Sequence, residues 1–161
     1  LTPVDEVAEK ASIEPANDAV VEEEAEAIVE EARKNFDYVV IDGEAGIEQI
    51  NRRVMEKVTH LLLITDASKK GTQVISTIKS VADELVMYKK IGAIINRLPD
   101  ESVLPYVNTN GIPVLSYITN DSNLAIYDIE GKNIIGLPDD SNVVEGARKA
   151  LVEMEIIGDK K

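Results

Sequence analysis

An aspartate and two glycines follow an apolar run in the segment Val39-Val40-Ile41-Asp42-Gly43-Glu44-Ala45-Gly46. An aspartate at the end of a buried strand can hold a metal-bound water, and a glycine a few residues later lets the backbone approach a phosphate closely. Asp42 and Gly46 are therefore candidates for phosphate chemistry. The same two residues could equally form a simple strand-to-helix turn, and this segment alone leaves both interpretations open.

Other common catalytic arrangements have no support in the sequence. The chain contains no Cys, which excludes a thiolate nucleophile and a Cys-ligated metal centre within it, and a single histidine excludes a poly-histidine metal site. That histidine, His60, begins an apolar run, and we predict that it packs at the margin of a sheet. Adjacent carboxylates such as Asp139 and Asp140 lie in turn or helix-surface contexts, and no Gly-x-Ser-x-Gly motif is present.

Four short apolar runs predict the strands that must position these residues. Most of the runs are continuous, which is typical of parallel strands covered on both faces. Apolar residues at helical spacing lie between and after them, most clearly from Val74 to Leu85 and from Val143 to Met154, so the strands need crossover connections. We predict an α/β fold, a mostly parallel sheet flanked by helices, with ligands at the carboxyl ends of the strands. The four runs are Tyr38 to Ile41, Leu61 to Ile64, Ile91 to Ile95 and Val114 to Ile118.

The N-terminal part differs from the rest of the chain. Residues 1–16 contain Pro3, Pro15 and scattered charges without periodicity, and we interpret them as a mobile lead-in to a domain formed by residues 17–161. Within that domain, we predict first an amphipathic helix with an acidic, solvated face after an N-cap at Asp18.

The charge balance restricts the partners. The 161 residues include 17 basic and 30 acidic side chains, and the net charge of −13 repels nucleic-acid backbones and anionic membrane surfaces. No stretch approaches the roughly 20 apolar residues of a membrane helix, and no signal-peptide pattern is present. We expect a soluble, cytoplasmic protein that binds neither nucleic acid nor membrane.

The stretch DGEAGIEQINRR, from Asp42 to Arg53, resembles the carbon monoxide dehydrogenase maturation ATPases, the CooC family of MinD/ParA-type deviant-Walker ATPases. In that family the strand-end aspartate at the entry to switch II precedes an E-A-G-x-E-H-x-x-R pattern. The resemblance covers about residues 36 to 155 and also includes a D-P-S-x-R-G turn, an I-x-N-R strand end, an I-P-x-D turn and a closing segment that ends in L-P. These correspond to residues 66–71, 94–97, 116–121 and 131–138.

The resemblance implies a base-recognition site. Asn96 matches an asparagine that recognises the adenine edge, a task for which an amide is suited because it both donates and accepts hydrogen bonds. Arg97 follows it and would either stack near the base or lie flat on the surface. Thr119 and Asp121 belong to the turn that lies beside the base in related ATPases, with Thr119 in place of the family's proline.

The resemblance also implies a switch segment. Asp42 and Gly46 would sense the nucleotide, Asp42 through a magnesium-bound water. Glu44, Glu48 and Arg52 match family positions that follow switch II and would contact a second protomer or a client protein. Glu48 and Arg52 are four residues apart, so a plain ion pair on one helix face is an alternative for these two.

Three departures from the family pattern restrict what the resemblance implies. Gln49 replaces the family's histidine, and the family's Cys-x-Cys pair is absent, so a nickel or zinc site is unsupported in this chain. No G-x-x-x-x-G-K-[ST] motif occurs, nor its deviant form with an earlier lysine. Because this P-loop supplies the N–H cradle, the phosphate-binding lysine and the hydroxyl ligand of magnesium, we predict that this chain alone does not hydrolyse ATP.

Two interpretations remain. In the first, the chain is the C-terminal part of an ATPase with its P-loop half upstream, since it begins at Leu1 and not at a methionine. The resemblance then implies a homodimer that binds ATP or ADP with magnesium and drives nickel insertion into carbon monoxide dehydrogenase. In the second, the chain is a natural P-loop-less module that docks a protein partner through the same switch surface without catalysis.

Overall fold

The computed structural model describes residues 18–43 and 57–158, in two units that divide after Asp42. In the first unit, helix α1 spans Asp18–Asn35. The helix begins at Asp18 itself, the residue that we predicted as its N-cap. Arg33 and Lys34 occupy its last turn, where positive charge favours a helix C-terminus, and they pair with Glu30 and Glu31. The predicted lead-in, residues 1–16, lies outside the described residues.

The prediction of a strand at Tyr38 to Ile41 is wrong. These residues have no regular secondary structure, and Tyr38 and Val40 are exposed. A strand needs hydrogen bonds from a neighbouring strand, and the described part of the first unit contains no other strand. An apolar run by itself therefore does not make a buried strand.

The second unit contains a parallel sheet whose three strands include the three remaining apolar runs. Strands β1 (His60–Thr65), β2 (Lys90–Leu98) and β3 (Val114–Thr119) lie in the order β1-β2-β3, all parallel. This confirms the predicted α/β class, and His60 begins β1 as expected. The connecting elements are helix α2 (Lys69–Leu85), a 3₁₀ helix (Glu101–Tyr106), helix α3 (Ser122–Ile129), a second 3₁₀ helix (Ile134–Gly136) and helix α4 (Asn142–Glu153).

Helices cover both faces of this sheet. On one face, Leu61 and Leu63 of β1 pack with Ile75 and Ala82 of α2 in the larger core cluster. On the other face, Ile94 and Ile118 pack with Ala150 of α4 in a second cluster. Two-sided burial explains why the strands are continuous apolar runs and do not alternate with polar residues. No helix in the described residues has the length and apolar character that crossing a bilayer requires.

The pairing of β2 with β3 contains two irregularities that compensate. Ala93 pairs with Val114, an offset of 21 residues, whereas Ile94 pairs with Ser116, an offset of 22. The offset returns to 21 at Leu98, which pairs with Thr119. The first irregularity adds a residue to β3 and the second adds one to β2. Side chains alternate between the two faces of a strand, so one added residue changes which side chains of β2 and β3 lie on the same face. The second added residue restores the original match.

Gly146 allows α4 to lie directly against β3. A Cβ atom at Gly146 would lie 2.4 Å from Cγ1 of Ile118 and 3.4 Å from the backbone oxygen of Tyr117. The hydroxyl of Ser116 donates a hydrogen bond of 2.7 Å to the Gly146 oxygen at the same contact. The close approach seals the second core cluster and fixes where α4 begins relative to the end of β3.

We predict that Gly146→Ala lowers the free energy of unfolding by about 1 kcal/mol, because overpacking of about 1–3 kcal/mol exceeds the gain in helix propensity of about 1 kcal/mol. Urea denaturation followed by circular dichroism measures the change. Gly158→Ala is the matched control, since its Cβ would meet nothing within 4 Å. Equal stability of the two variants would show that the contact with Ile118 is loose.

Candidate base-recognition site

The carboxyl ends of β1, β2 and β3 form one edge of the sheet, because all three strands are parallel. Polar residues lie at the end of each strand: Asp66 to Gly71 follow β1, Asn96 and Arg97 lie near the end of β2, and Thr119 to Asp121 run from the end of β3 into the next turn. Ligands of open α/β sheets bind at this edge. The four predicted base-recognition residues, Asn96, Arg97, Thr119 and Asp121, therefore lie on one side of the second unit.

A bulge at the end of β2 presents Asn96 and Arg97. Ile95 pairs with Tyr117 and Leu98 with Thr119, so β2 places Asn96 and Arg97 opposite a single residue of β3. Arg97 has φ 54, in the left-handed region. The Oδ1 atom of Asn96 accepts a hydrogen bond of 2.9 Å from the Arg97 N–H and stabilises this conformation. Bulges and left-handed non-glycine residues occur preferentially at functional sites.

The turn after β1 is built around the Asp66 carboxylate. Its Oδ1 accepts a hydrogen bond of 2.9 Å from the Ser68 N–H, and Ser68 is the N-cap of α2. Hydrogen bonds from the Ser68 hydroxyl and N–H lower the pKa of Asp66, burial opposes them, and the positive charge of Arg97 lowers the pKa further. Asp66 and Arg97 therefore lie close enough, at the ends of neighbouring strands, for their opposite charges to attract each other.

Gly71 lets the first turn of α2 approach Asp66. A Cβ atom there would lie 2.4 Å from Asp66 Oδ1 and 2.5 Å from Thr65 Oγ1. A shallow cleft of about 300 Å³ runs from this turn along β1 and α2, with Asp66, Gly71 and Val74 among its lining residues. Asn96 and Thr119 do not line it. Asn96, Thr119 and Asp121 are half-buried and Arg97 is exposed, and we call the surface formed by these four residues the shelf.

The turn after β3 depends on both carboxylate oxygens of Asp121. Oδ1 accepts hydrogen bonds from the N–H groups of Asn123 and Leu124 at the start of α3, at 2.9 and 3.1 Å. Oδ2 accepts a hydrogen bond of 3.1 Å from the Val143 N–H in the first turn of α4, and another from the Ser141 hydroxyl. One carboxylate therefore caps two helices.

The charge of Asp121 is favoured by these contacts. Burial opposes ionisation, but the hydrogen bonds from the Ser141 hydroxyl and from the three backbone N–H groups outweigh it, so the pKa of Asp121 lies below its usual value of 3.8. Ser141 is the N-cap of α4, but its side chain makes no capping hydrogen bond to its own helix, and its hydroxyl donates to Asp121. Asp121 thus replaces Ser141 as the acceptor at the start of α4.

Asn142, the first residue of α4, holds the other side of the same turn. Its Nδ2 group donates to Thr119 Oγ1 at 2.9 Å and to the Asn120 backbone oxygen at 3.1 Å. Ser141 and Asn142 were not among the residues predicted from the sequence. A polar residue before a helical apolar pattern is a known N-cap signal, but no local pattern relates these residues to a turn about 20 positions earlier in the chain.

Of the predicted switch residues, only Asp42 lies within the described residues. Asp42 ends the first unit, is exposed and has no regular secondary structure. Glu44, Gly46, Glu48 and Arg52 lie outside the described residues. Within residues 18–43 and 57–158, no three acidic or histidine side chains form a group that could hold a metal ion.

The fold and the position of this edge define a class of protein. The structure is similar to the crystal structure of the cell division ATPase MinD from Pyrococcus furiosus, with a TM-score of 0.60. The alignment covers 84% of this chain and 58% of that MinD chain at 17% sequence identity. The parallel sheet and its flanking helices therefore have part of the fold of the MinD P-loop ATPase.

Sequence relatives agree with this class. The chain is 32% identical over 120 residues to the uncharacterized ATP-binding protein MJ0685 of Methanocaldococcus jannaschii, covering 72% of this chain and 47% of that protein. It is 25% identical over 132 residues to the septum site-determining protein MinD of Synechocystis, covering 74% and 48% of the two chains. No protein-family profile matches the chain. The likenesses support the MinD/ParA-type class of P-loop ATPases and do not single out the CooC family. The chain spans about half the length of these relatives.

We predict that Asp121→Asn lowers the free energy of unfolding by about 1–2 kcal/mol at pH 7, because an amide nitrogen cannot accept the hydrogen bonds that Oδ2 receives. The folded-state pKa of Asp121 is lowered, so its stabilisation is complete above the unfolded-state pKa of about 3.9 and is lost as the pH falls through the folded-state value. The difference between wild type and variant should be constant from about pH 5 to 7 and should shrink below about pH 4.

Chemical denaturation of both proteins across this pH range measures the difference. Asp140→Asn, which removes an exposed carboxylate from the loop before α4, is the control and should change stability little. A difference between wild type and Asp121→Asn that persists undiminished to pH 2 would contradict the assigned role of the Asp121 charge.

Proposed function

We propose that this chain is the base-recognition part of a MinD/ParA-type ATPase, with Asn96 and Arg97 in contact with the adenine base of ATP or ADP. The observation that carries the proposal is the β2 bulge, which places an amide and a left-handed arginine side by side at the ligand-binding edge of the sheet. The similarity to the ATP-binding protein MJ0685 and to MinD supports a nucleotide-binding role of the ATPase type.

Asn96 has the capacity that adenine recognition requires. Adenine presents a donor next to an acceptor, so a recognising amide must accept at Oδ1 and donate from Nδ2. Oδ1 already accepts from the Arg97 N–H, and a carbonyl oxygen has a second lone pair for another donor. No described residue accepts a hydrogen bond from Nδ2. In this proposal the bulge orients the amide, and Arg97 lies over the face of the base.

The Thr119 to Asp121 turn borders the base on the β3 side. All four hydrogen bonds to the Asp121 carboxylate come from this chain, so we assign Asp121 a positioning role and give direct contact with the base to Thr119 and the backbone. This refines the expectation, from resemblance alone, that both side chains contact the cofactor.

The phosphate end of the nucleotide needs residues beyond this site. The described residues contain no group that fits magnesium on its own, so no catalytic step is assigned to a metal here. We propose that a P-loop in the complete protein holds the phosphates and that Asp42 and Gly46 form the switch that senses them. Hydrolysis would then be phosphoryl transfer to water.

The resemblance to the CooC family supports a more specific proposal for the complete protein. Glu44, Glu48 and Arg52 would carry the nucleotide state to a second protomer or to a client, and the client would be carbon monoxide dehydrogenase at the stage of nickel insertion. These residues match the family pattern in type and spacing. A homodimer with nucleotide between the protomers is part of this proposal.

Isothermal titration calorimetry tests the nucleotide role. ATP and ADP are titrated, each with magnesium, into this chain and into the protein extended upstream to include its P-loop half. We predict tight binding by the extended protein and weak or no binding by this chain, because the P-loop supplies most phosphate contacts. Absence of binding by both would overturn the proposal and favour the P-loop-less docking module.

A second prediction separates recognition from stability. Arg97→Gly should leave this chain equally stable or up to about 1 kcal/mol more stable, because glycine adopts positive φ without strain. In the extended protein it should weaken ATP binding about tenfold, since the guanidinium would no longer stack on the base.

Glu155→Gly is the matched control for Arg97→Gly. Glu155 also has a left-handed backbone, φ 59, and it pairs with Lys90 at the opposite end of β2. Its replacement should change stability to a similar extent and leave the ATP affinity unchanged. If Arg97→Gly also retains full affinity, Arg97 does not contact the base.

A further inference from the structure

Two residues at the start of α4 converge on the turn that follows β3. Ser141 is buried and donates to Asp121, while Asn142 is exposed and donates to Thr119 and to the Asn120 backbone oxygen. The two residues are adjacent in sequence, and their contacts are with three consecutive residues of the turn. Hydrogen bonds therefore connect each of Thr119, Asn120 and Asp121 to the start of α4.

This connection exceeds what helix capping needs. The Val143 N–H and the hydroxyl of Ser141 both donate to Asp121, so the capping contact of α4 with this turn is made without Asn142. The two hydrogen bonds from Asn142 serve no N–H group of α4. They fix the Thr119 hydroxyl and the Asn120 peptide, groups that belong only to the turn.

The opposite side of the shelf is fixed by a different device. On β2, the Asn96 side chain holds the bulge through the Arg97 N–H. The extra residue of this bulge belongs to β2, and β3 contributes only Ile118 between Tyr117 and Thr119. The turn after Thr119 is instead fixed by hydrogen bonds from a residue outside the sheet, Asn142 at the start of α4.

We propose that Asn142 is a positioning residue for base recognition: its side chain holds the Thr119–Asn120 turn in the conformation that borders the adenine ring. The inference rests on the proposed nucleotide role of this edge. Asn142 acts through the turn and does not contact the nucleotide. Ser141 supports the same turn through Asp121, but its burial makes its replacement less informative, because stability and position would change together.

The test uses Asn142→Ala in the extended protein and two probes, ATP and inorganic tripolyphosphate, each titrated with magnesium. Loss of two hydrogen bonds to the turn should weaken ATP binding about five- to tenfold and leave tripolyphosphate binding unchanged. A role of Asn142 in overall stability alone would weaken both probes equally, so equal loss overturns the inference, as does unchanged ATP binding.

The matched control is Asn123→Ala. Asn123 lies in the first turn of α3, next to the same Asp121 cap, and engages it only through its backbone N–H. This variant should bind both probes like the wild type. Asn142→Ser keeps a side-chain donor at the start of α4 and should recover part of the lost ATP affinity.

A measurement on this chain gives an independent result. In Asn142→Ala, amide hydrogen exchange at Asn123 and Leu124 should become several-fold faster while the melting temperature stays within the range of the Asn123→Ala control. Unchanged exchange would overturn the inference. If the wild-type extended protein binds tripolyphosphate but shows no preference for ATP, the base-recognition proposal fails. If it binds neither probe, the nucleotide role fails, and the inference falls with it in both cases.

Discussion

The Asp121 carboxylate satisfies N–H groups at the start of two helices, and the geometry at the carboxyl end of β3 depends on it. Each helix begins with N–H groups that have no partner within the helix, and their partial positive charges attract an anion. Here α3 and α4 start close enough to share one anion. The segment from the start of α3 to the start of α4 is therefore bonded at both ends to the same side chain. That side chain belongs to the turn after β3.

The shelf has a β3 side that is fixed by hydrogen bonds and a β2 side that has a strained backbone at Arg97. The β3 side is held by hydrogen bonds to a helix end, while the β2 side keeps a left-handed arginine that an unconstrained chain would avoid. The close packing of Gly146 against Ile118 resists relaxation of the sheet beneath them. In the proposed ATPase this rigid part recognises the base, and the parts that respond to phosphate lie in the switch and the P-loop. Such a division would let the phosphate end move while the base stays in place.

The sequence was informative where burial alone decides the structure. Three of the apolar runs form the parallel strands. The spacing of apolar residues also predicted the helices that follow Ser68 and Ser141. The run from Tyr38 to Ile41 has the same composition but no neighbouring strand in the described part of its unit, and no single-segment signal reveals a missing neighbour. The site was predicted only in part. Asn96 was found through resemblance, whereas the bulge depends on pairing with β3, and the link between Asp121 and Ser141 joins residues that are distant in sequence.

The paired irregularities between β2 and β3 have a consequence for how this region can change in evolution. An extra residue near Leu115 and another near Asn96 shift the register in opposite directions, and only together do they keep Leu98 opposite Thr119. A deletion in one strand alone would turn its following side chains to the wrong face, whereas a deletion in each would preserve the core and lose the bulge. Relatives in which this part of the sheet differs in length should therefore show matched length changes in both strands, inherited as a pair.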